Sequence, residues 1–367
     1  MSKSLFLNVW YKCNYDCVYC VIWWIQEEFN SEDFVSFDKI KEINLDWYET
    51  VWFTWWEPTI HPEIFKILDY FYDKWLELYM QSNGSMLWND DFFEKIKKYK
   101  IQYQLPLNSN IENIHNIIMK HKNAYNLTLN WINNLISNWF EKDLTVKIIL
   151  TKLNYNHIHK TIEYLNSIWV NKFYIAYPVL KGNYKNYLNK LTPRYLEIKK
   201  SLDIVNELEN KLWITYVLES FPYCVLKENQ YKNVWEIGQL NYDFINNIKD
   251  EDLPDLLNLS SNCFKKYWFR DEDRNCNTCK IIDLKVRLNN ISFLHKKLDK
   301  EVNANCLDNL HKTKDFWCLN CKYTMICSWI AKEYNEMFWF SEFDNKNIKK
   351  ELTKKDILNY INYVKKM

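Results

Sequence analysis

Short apolar runs alternate with amphipathic segments from residue 5 to residue 215, and this alternation leaves few folds open. The runs have the length of buried strands, and the segments between them carry apolar residues at helical spacing. Such alternation predicts a parallel sheet or an α/β barrel. The predicted strands are Leu5–Val9, Thr50–Thr54, Leu76–Met80, Ile101–Leu105, Thr145–Leu150, Phe173–Ala176 and Ile214–Leu218. The predicted helices are Phe34–Ile43, Pro62–Lys74, Phe92–Tyr99, His157–Ile168, Pro193–Leu208 and Lys354–Lys366.

The charge and hydropathy of the chain argue against two classes of protein, nucleic-acid binders and membrane-spanning proteins. The net charge is +1 with 26% charged residues, so nothing indicates a nucleic-acid binder. No apolar stretch approaches the ~20 residues that span a bilayer, and the first run is too short for a signal peptide. We therefore expect a cytoplasmic protein without a membrane partner. Eleven cysteines in a reducing compartment indicate metal binding or catalysis rather than disulfides.

Three of these cysteines, Cys13, Cys17 and Cys20, form a C-x3-C-x2-C segment directly after the first predicted strand. Three thiolates on a tight loop can ligate three irons of a cubane and leave the fourth iron open, whereas an electron-transfer cluster takes four cysteines. A zinc site and core thiols are the alternatives. Structural zinc sites use paired cysteines and four ligands, and a strand end is where barrel enzymes place their active sites. We therefore favour a cluster.

The cysteine segment, with the aromatic Tyr19 before its last cysteine, resembles the radical S-adenosylmethionine (SAM) superfamily over roughly residues 5–215. The resemblance implies an α/β fold, a partial (β/α)6 TIM-type barrel with a small cysteine-rich C-terminal domain. It also implies reductive cleavage of SAM at a [4Fe–4S] cluster, which gives a 5′-deoxyadenosyl radical that abstracts hydrogen from a substrate. An electron donor such as flavodoxin or ferredoxin is implied as a partner.

Further motifs extend the resemblance along the chain. Residues 53–59 become the family's GGEP motif, which binds the SAM amino group, if Trp55 and Trp56 are read as glycine. Residues 82–84 resemble the family's ribose motif, and His61 is expected to be positional. Pro106 stands where the family has a serine that contacts the SAM carboxylate, so the chain departs from the pattern there. The SAM-binding residues implied in this way are Tyr19, Trp55, Trp56, Glu57, Pro58, Ser82, Asn83, Gln104 and Asn154.

The tryptophan and glycine contents are anomalous. The chain has 18 Trp and 3 Gly, although average usage of ~7% would give about 26 Gly. Several Trp stand where a predicted helix gives way to a strand, a place that favours a left-handed residue, usually Gly. We hypothesise that many Trp are glycines whose UGA codons were read as tryptophan; the alternative is a truly Trp-rich protein. The positions concerned include Trp55, Trp56, Trp75, Trp139, Trp169, Trp213 and Trp329. Gly182 and Gly238 are isolated and carry no motif.

The other eight cysteines lie between residues 224 and 327, and eight is the number that two fully cysteine-ligated [4Fe–4S] clusters require. The spacing of Cys318, Cys321 and Cys327 resembles that of the auxiliary-cluster (SPASM or twitch) domains, although Ala331 stands where a full SPASM signature has cysteine. The candidate ligands are Cys224, Cys263, Cys276, Cys279, Cys306, Cys318, Cys321 and Cys327. Alternatives are a zinc ribbon built from the two C-x2-C pairs, or one auxiliary cluster with spare thiols.

These observations predict a radical SAM core barrel at 1–215, a SPASM/twitch-like auxiliary domain at 216–345 and a C-terminal helix at 346–367. The resemblance makes a peptide or protein the first expected substrate, because auxiliary-cluster members most often modify such molecules. A radical transformation of a small-molecule metabolite is the alternative. A non-catalytic iron–sulfur or zinc-binding module is expected if Trp55 and Trp56 are genuine, because two indoles would block SAM.

Overall fold

The computed structural model describes residues 4–8, 10, 12–21, 34–46, 48–54, 57–86, 89–235, 246, 289–292, 312–313, 330–338, 343 and 353–365. Its strands are β1 (Ser4–Asn8), β2 (Thr50–Phe53), β3 (Glu77–Gln81), β4 (Gln102–Pro106), β5 (Leu144–Ile149), β6 (Lys172–Ala176), β7 (Thr215–Glu219), β8 (Asn289–Ser292), β9 (Lys312–Thr313) and β10 (Ile330–Ala331). The α-helices are α1 (Phe37–Ile40), α2 (Ile64–Asp73), α3 (Asp90–Ile96), α4 (Glu112–Met119), α5 (Ala124–Ser137), α6 (Ile158–Ser167), α7 (Leu188–Leu191), α8 (Tyr195–Lys211), α9 (Lys332–Phe338) and α10 (Lys354–Lys365).

The main sheet is parallel, in the order β7-β6-β5-β4-β3-β2-β1-β8. Its first seven members are the seven predicted strands, each laid beside the one before it in the chain. The α/β class and the partial TIM-type barrel are therefore confirmed. The eighth strand was not predicted: Leu5 of β1 lies opposite Asn289 of β8, which comes from the part assigned to the auxiliary domain.

The two faces of the sheet differ in burial because side chains alternate along each strand. The outer face is apolar and packs against the helices, as Phe53 of β2 does against Phe71 of α2, with ring centroids 5.9 Å apart. Within the described ranges the inner face is half-buried on β2, β3 and β4 and largely buried on β6 and β7. On it Trp52 stacks between Phe6 and Tyr79, at centroid distances of 5.7 and 4.4 Å. The outer face is thus the folding core, and the inner face is left for binding.

The helices follow the prediction with small shifts. Pro62 was expected in the first helical turn, but α2 begins at Ile64 with Glu63 as its N-cap. Helices α4 and α5 were not predicted. Near the C-terminus, the Tyr195 backbone N–H donates to the Tyr334 hydroxyl at 3.0 Å, and the Tyr363 hydroxyl donates to Glu209 at 2.9 Å. Helices α9 and α10 therefore both pack against α8.

Four exposed tryptophans end helices in the left-handed conformation. Trp75, Trp139, Trp169 and Trp213 follow α2, α5, α6 and α8, with φ of 62°, 66°, 72° and 54°. After each, the next residue's N–H donates to a carbonyl five residues back, as Leu76 does to Phe71 at 3.3 Å. This is the Schellman bond, in which glycine is the usual left-handed residue. Their side chains are 71–93% exposed, so the indoles contribute little packing.

Candidate active site

Cys13, Cys17 and Cys20 lie on a loop of residues 12–21, called the cluster loop below, which follows β1 at the carboxyl edge of the sheet. Three separate elements hold this loop by backbone hydrogen bonds. The Val18 N–H donates to Ile118 in α4 at 2.9 Å, and the Cys20 carbonyl accepts from the Asn183 N–H at 2.9 Å. The Lys12 carbonyl accepts from the Glu57 N–H at 3.5 Å. The three thiols are thus presented from one fixed loop.

The chemistry of these thiols fits an iron–sulfur cluster. Burial, reinforced by nearby Glu57, raises the pKa of Cys13 to about 12, and burial also raises the pKa of Cys17 well above its ordinary value. Such thiols become thiolates when a bound metal supplies the positive charge. Among the described residues, no three His, Cys, Asp or Glu side chains converge on one metal ion.

Glu57, which follows β2, is buried at the centre of a hydrogen-bond network. Its carboxylate accepts from the Thr59 N–H at 3.1 Å, from the Thr59 and Ser82 hydroxyls, and from the Asn83 N–H at 2.6 Å. Burial raises its pKa, while these donors favour the ionised form. Pro58 is buried in the short helical turn that Glu57 caps. Glu57 therefore ties the end of β2 to the end of β3.

Asn83 connects this network to the cluster loop. Its side-chain amide donates to Asn14 at 2.8 Å and lies 3.7 Å from the Cys13 sulfur. The Asn14 amide in turn donates to the Ser85 hydroxyl at 2.7 Å. Motifs that follow β1, β2 and β3 are thus joined side by side, because the carboxyl ends of neighbouring parallel strands meet at one edge of the sheet.

Tyr19 and Cys17 meet the end of α4 at Met119. The Met119 sulfur lies 3.1 Å from the Tyr19 hydroxyl and 3.9 Å from the Cys17 sulfur. The Asn108 side-chain amide, at 3.4 Å, approaches the same sulfur. Sequence analysis did not single out Met119 or Asn108, since neither belongs to a motif that it considered. The contact ties Tyr19 of the cluster loop to the end of α4, and the role of Tyr19 next to adenine stays a prediction.

Gln104 belongs to a row of polar side chains that crosses the inner face of the sheet. The Thr54 hydroxyl donates to Gln81 at 2.6 Å, and the Gln81 amide donates to Gln104 at 2.8 Å. Further along the same face, Lys147 of β5 reaches Glu219 of β7 at 3.3 Å. Polar and charged groups that line a concave sheet face are available for substrate or cofactor binding.

Asn154 is fully buried and hydrogen-bonded within the protein. Its oxygen accepts from the Thr151 N–H at 2.7 Å, and its amide donates to the carbonyls of Asn108 and Ile149 at 2.7 and 2.9 Å. This geometry makes Asn154 a brace between the ends of β4 and β5. Direct contact with SAM, expected from its motif, stays a prediction.

The remaining predicted site residues divide into two groups. Cys224 is half-buried in the helical turn Tyr223–Val225, just after β7. The others lie outside the described residues: Trp55, Trp56, Cys263, Cys276, Cys279, Cys306, Cys318, Cys321 and Cys327. His61, expected to be positional, is buried against Trp10 and Phe34, and burial lowers its pKa to about 4.

The cluster loop is also clasped by a residue that sequence analysis missed. The Asn183 side-chain amide donates to the carbonyls of Asp16 and Cys17 at 3.2 and 2.9 Å. Gly182, one of only three glycines, precedes it with φ +58°. Nothing in the spacing connects residue 183 to residues 16–20, so the sequence carried no signal for this contact.

Comparison with known proteins agrees with this geometry. Residues 7–165 match the family described as "Radical SAM superfamily". The match covers less than half of the chain and includes the cluster loop, in agreement with the predicted enzyme class. No helix among the described residues is long and apolar enough to cross a membrane.

Individual relatives are distant. An uncharacterized protein of Methanocaldococcus jannaschii is 25% identical over 256 residues, which are 65% of this chain and 83% of the relative. The crystal structure of Streptococcus suis SuiB bound to the precursor peptide SuiA aligns with TM-score 0.52 and 13% identity, over 92% of this chain and 73% of SuiB. Another SuiB structure aligns over only 49% of its own length. The enzyme anSMEcpe, with bound AdoMet and Kp18Cys peptide, aligns with TM-score 0.51 and 13% identity, over 99% and 97% of the two chains. At such identities the structural likeness shows the fold alone.

Proposed function

We propose that this chain holds a [4Fe–4S] cluster on Cys13, Cys17 and Cys20, cleaves SAM reductively and uses the radical to modify a peptide or protein. The main observation behind this proposal is that the motifs after β1, β2 and β3 lie together at one edge of the sheet. The Asn83 side-chain amide lies 3.7 Å from the Cys13 sulfur, and the Asn83 backbone N–H donates to Glu57. The cluster, when bound, supplies one electron, on which SAM splits into methionine and a 5′-deoxyadenosyl radical that takes a hydrogen atom from the substrate.

The residues around the loop have separate tasks in this proposal. The three cysteines bind three irons and leave the fourth for the amino and carboxylate groups of SAM. Glu57 holds the ends of β2 and β3 in register, so that Glu57 and residues 82–83 lie beside one ligand. The half-buried inner face, with Gln104 and the Lys147–Glu219 pair, receives the substrate beside the radical.

We further propose that the natural protein carries glycine at positions 55 and 56. The support comes from elsewhere in the chain, where four tryptophans occupy left-handed helix ends that favour glycine. Glycine lets backbone carbonyls approach a ligand closely, whereas two indoles would obstruct SAM. If the codons for these two residues prove to be UGG, the reading as a non-catalytic metal-binding module is favoured instead.

A peptide substrate is the finer part of the proposal. It is supported by SuiB, whose structure holds a precursor peptide, and by anSMEcpe, whose structure holds a peptide together with AdoMet. The eight later cysteines supply enough thiols for one or two auxiliary [4Fe–4S] clusters. In this proposal those clusters anchor the substrate or pass electrons.

The test uses the Trp55→Gly/Trp56→Gly protein, reconstituted with iron and sulfide without oxygen. Iron and sulfide are counted, and dithionite and SAM are then added to measure 5′-deoxyadenosine. We expect about twelve irons if all three clusters form, together with 5′-deoxyadenosine. The Cys17→Ala form of the same protein should lose about four irons and all SAM cleavage.

The other results separate the alternatives. Zinc in place of iron, with no 5′-deoxyadenosine, would overturn the enzymatic proposal in favour of a metal-binding module. About four irons with active SAM cleavage would retain the enzyme but remove the auxiliary clusters. Deuterium transfer into 5′-deoxyadenosine from labelled small metabolites, and not from labelled peptides, would replace the peptide with the small-molecule alternative.

A further inference from the structure

A short segment after β6 holds the cluster loop by hydrogen bonds. It is the helical turn Gly182–Tyr187, and its second residue, Asn183, is only 2% exposed. The Asn183 backbone N–H donates to the Cys20 carbonyl at 2.9 Å. Its side-chain amide faces three oxygens: the Cys17 carbonyl at 2.9 Å, the Asp16 carbonyl at 3.2 Å and the Asp16 carboxylate at 3.1 Å.

This arrangement uses asparagine for a specific reason. A carboxamide NH2 has two donors, and here both are directed at acceptor oxygens. The buried carbonyls of the loop would otherwise be left unsatisfied at a cost to folding. The Asp16 carboxylate also pairs with Lys120 at the end of α4, so Asp16 contacts both Asn183 and α4's end.

The gripped carbonyls belong to residues 16, 17 and 20, which include two of the three expected iron ligands. The spacing of the Cys17 and Cys20 sulfurs depends on the backbone between them, and Asn183 contacts both ends of that stretch. We propose that Asn183 is a positioning residue, which keeps the cluster loop in the conformation that retains the cluster. This inference rests on the proposed [4Fe–4S] site but not on the identity of the substrate.

The sharpest variant is Asn183→Asp, because it keeps the shape of the side chain and replaces its donors with a carboxylate. That carboxylate would face three oxygens, so repulsion is added to the loss of the hydrogen bonds. Asn183→Ala removes the bonds without the repulsion. Asn133→Asp makes the same chemical change on the exposed face of α5 and serves as the control.

The experiment follows the visible absorbance of the reconstituted cluster after a chelator is added without oxygen, together with the urea midpoint of each protein. We expect Asn183→Asp to lose its cluster about tenfold faster than the parent protein. Asn183→Ala should lose the cluster less rapidly than Asn183→Asp, and Asn133→Asp should lose it at the parent rate. The electron paramagnetic resonance spectrum of the reduced cluster should also change in Asn183→Asp, and its urea midpoint should fall because the loop carbonyls lose their donor.

Cluster loss at the parent rate in Asn183→Asp would overturn the inference. So would an unchanged electron paramagnetic resonance spectrum of the cluster in Asn183→Asp, since faster loss would then follow from lower stability alone and make Asn183 a general structural residue. If the parent protein took up no iron, the proposed function would fail while the clasp could still be tested. In that case amide hydrogen exchange of residues 12–21 should be faster in Asn183→Asp than in the parent, and equal exchange would overturn the clasp.

Discussion

A methyl group on Gly182 would lie 2.3 Å from the backbone oxygen of Cys20 and 2.6 Å from that of Val21. Gly182 is also left-handed, with φ +58°. Both partners are backbone atoms, which cannot rotate away as a flexible side chain could. The cluster loop and the segment after β6 are therefore in contact at a point where only glycine fits.

We predict that Gly182→Ala displaces the cluster loop and impairs cluster binding. Gly84→Ala is the matched control, because Gly84 is left-handed too but its added methyl would meet Thr128 at an ordinary 3.4 Å. Gly84→Ala should cost about 1 kcal/mol from backbone strain alone, and Gly182→Ala clearly more. Urea unfolding and iron content after reconstitution measure the two effects. Equal iron content and equal stability in the two variants would contradict the prediction.

The exposed tryptophans at helix ends give a second prediction. Replacing Trp75, Trp139, Trp169 or Trp213 by glycine should raise the free energy of unfolding by about 1 kcal/mol each, because glycine removes the left-handed strain. Since these indoles are 71–93% exposed, little packing is lost. The four changes should be nearly additive, as they lie at separate helix ends.

Trp131 belongs to the core, unlike the four exposed tryptophans at helix ends. It is fully buried in α5 and packs edge-on against Phe93 and Tyr103, at 5.1 and 5.3 Å. Trp131→Gly should therefore lower the free energy of unfolding by about 4 kcal/mol. Urea unfolding of the single variants measures these changes in the free energy of unfolding. If Trp75→Gly and its counterparts destabilised the protein, the reading of these positions as glycine would lose its structural support.

The outcome along the chain shows what sequence patterns can specify. The seven strands were predictable because each is a short apolar run buried by local helices. Strand β8 was not, since its pairing with β1 joins residues 5–8 to residues 289–292, and no local pattern encodes such a distant partner. The left-handed tryptophans were predictable because the helix-end signal is local.

The candidate site, like the fold, contains residues that the sequence predicted and residues that it did not. Motifs that directly follow the strands were identified by their resemblance to those of a known family, and parallel topology brings them together in the fold. The clasp by Asn183 was missed, and Gly182 was set aside as isolated, because nothing in the spacing connects residue 183 to residues 16–20. Such contacts depend on how a loop returns over the sheet, which only the three-dimensional structure reveals.

Glu57 gives a third prediction, about stability. Its carboxylate accepts from four donors, so Glu57→Gln would place an NH2 group against an N–H or hydroxyl donor. Leaving a buried donor unsatisfied should lower the free energy of unfolding by about 2–3 kcal/mol. Glu112→Gln, on the exposed start of α4, should change it by less than about 0.5 kcal/mol. Urea unfolding of the iron-free proteins makes the comparison, and equal effects would show that the network around Glu57 contributes little.

His115 gives a prediction about pH. It is fully buried in α4, where its Nδ1 accepts from the Asn108 N–H at 3.0 Å, and burial lowers its pKa to about 3. In the unfolded chain a histidine has a pKa of about 6.5. Between these values the unfolded state binds a proton that the folded state does not. The stabilising contribution of neutral His115 is therefore complete above about pH 6.5 and is lost as the pH falls towards 3.

The expected loss for this one group is about 1 kcal/mol of unfolding free energy per pH unit below 6.5. His115→Asn keeps an acceptor for the Asn108 N–H but does not titrate, so its unfolding free energy should fall less steeply over the same range. His61, whose pKa is lowered to about 4, titrates in both proteins and cancels in the difference. Urea unfolding of the two iron-free proteins at several pH values gives the two slopes. Identical slopes would mean that His115 becomes protonated without unfolding, and that the contact between α4 and the end of β4 opens to water in the folded state.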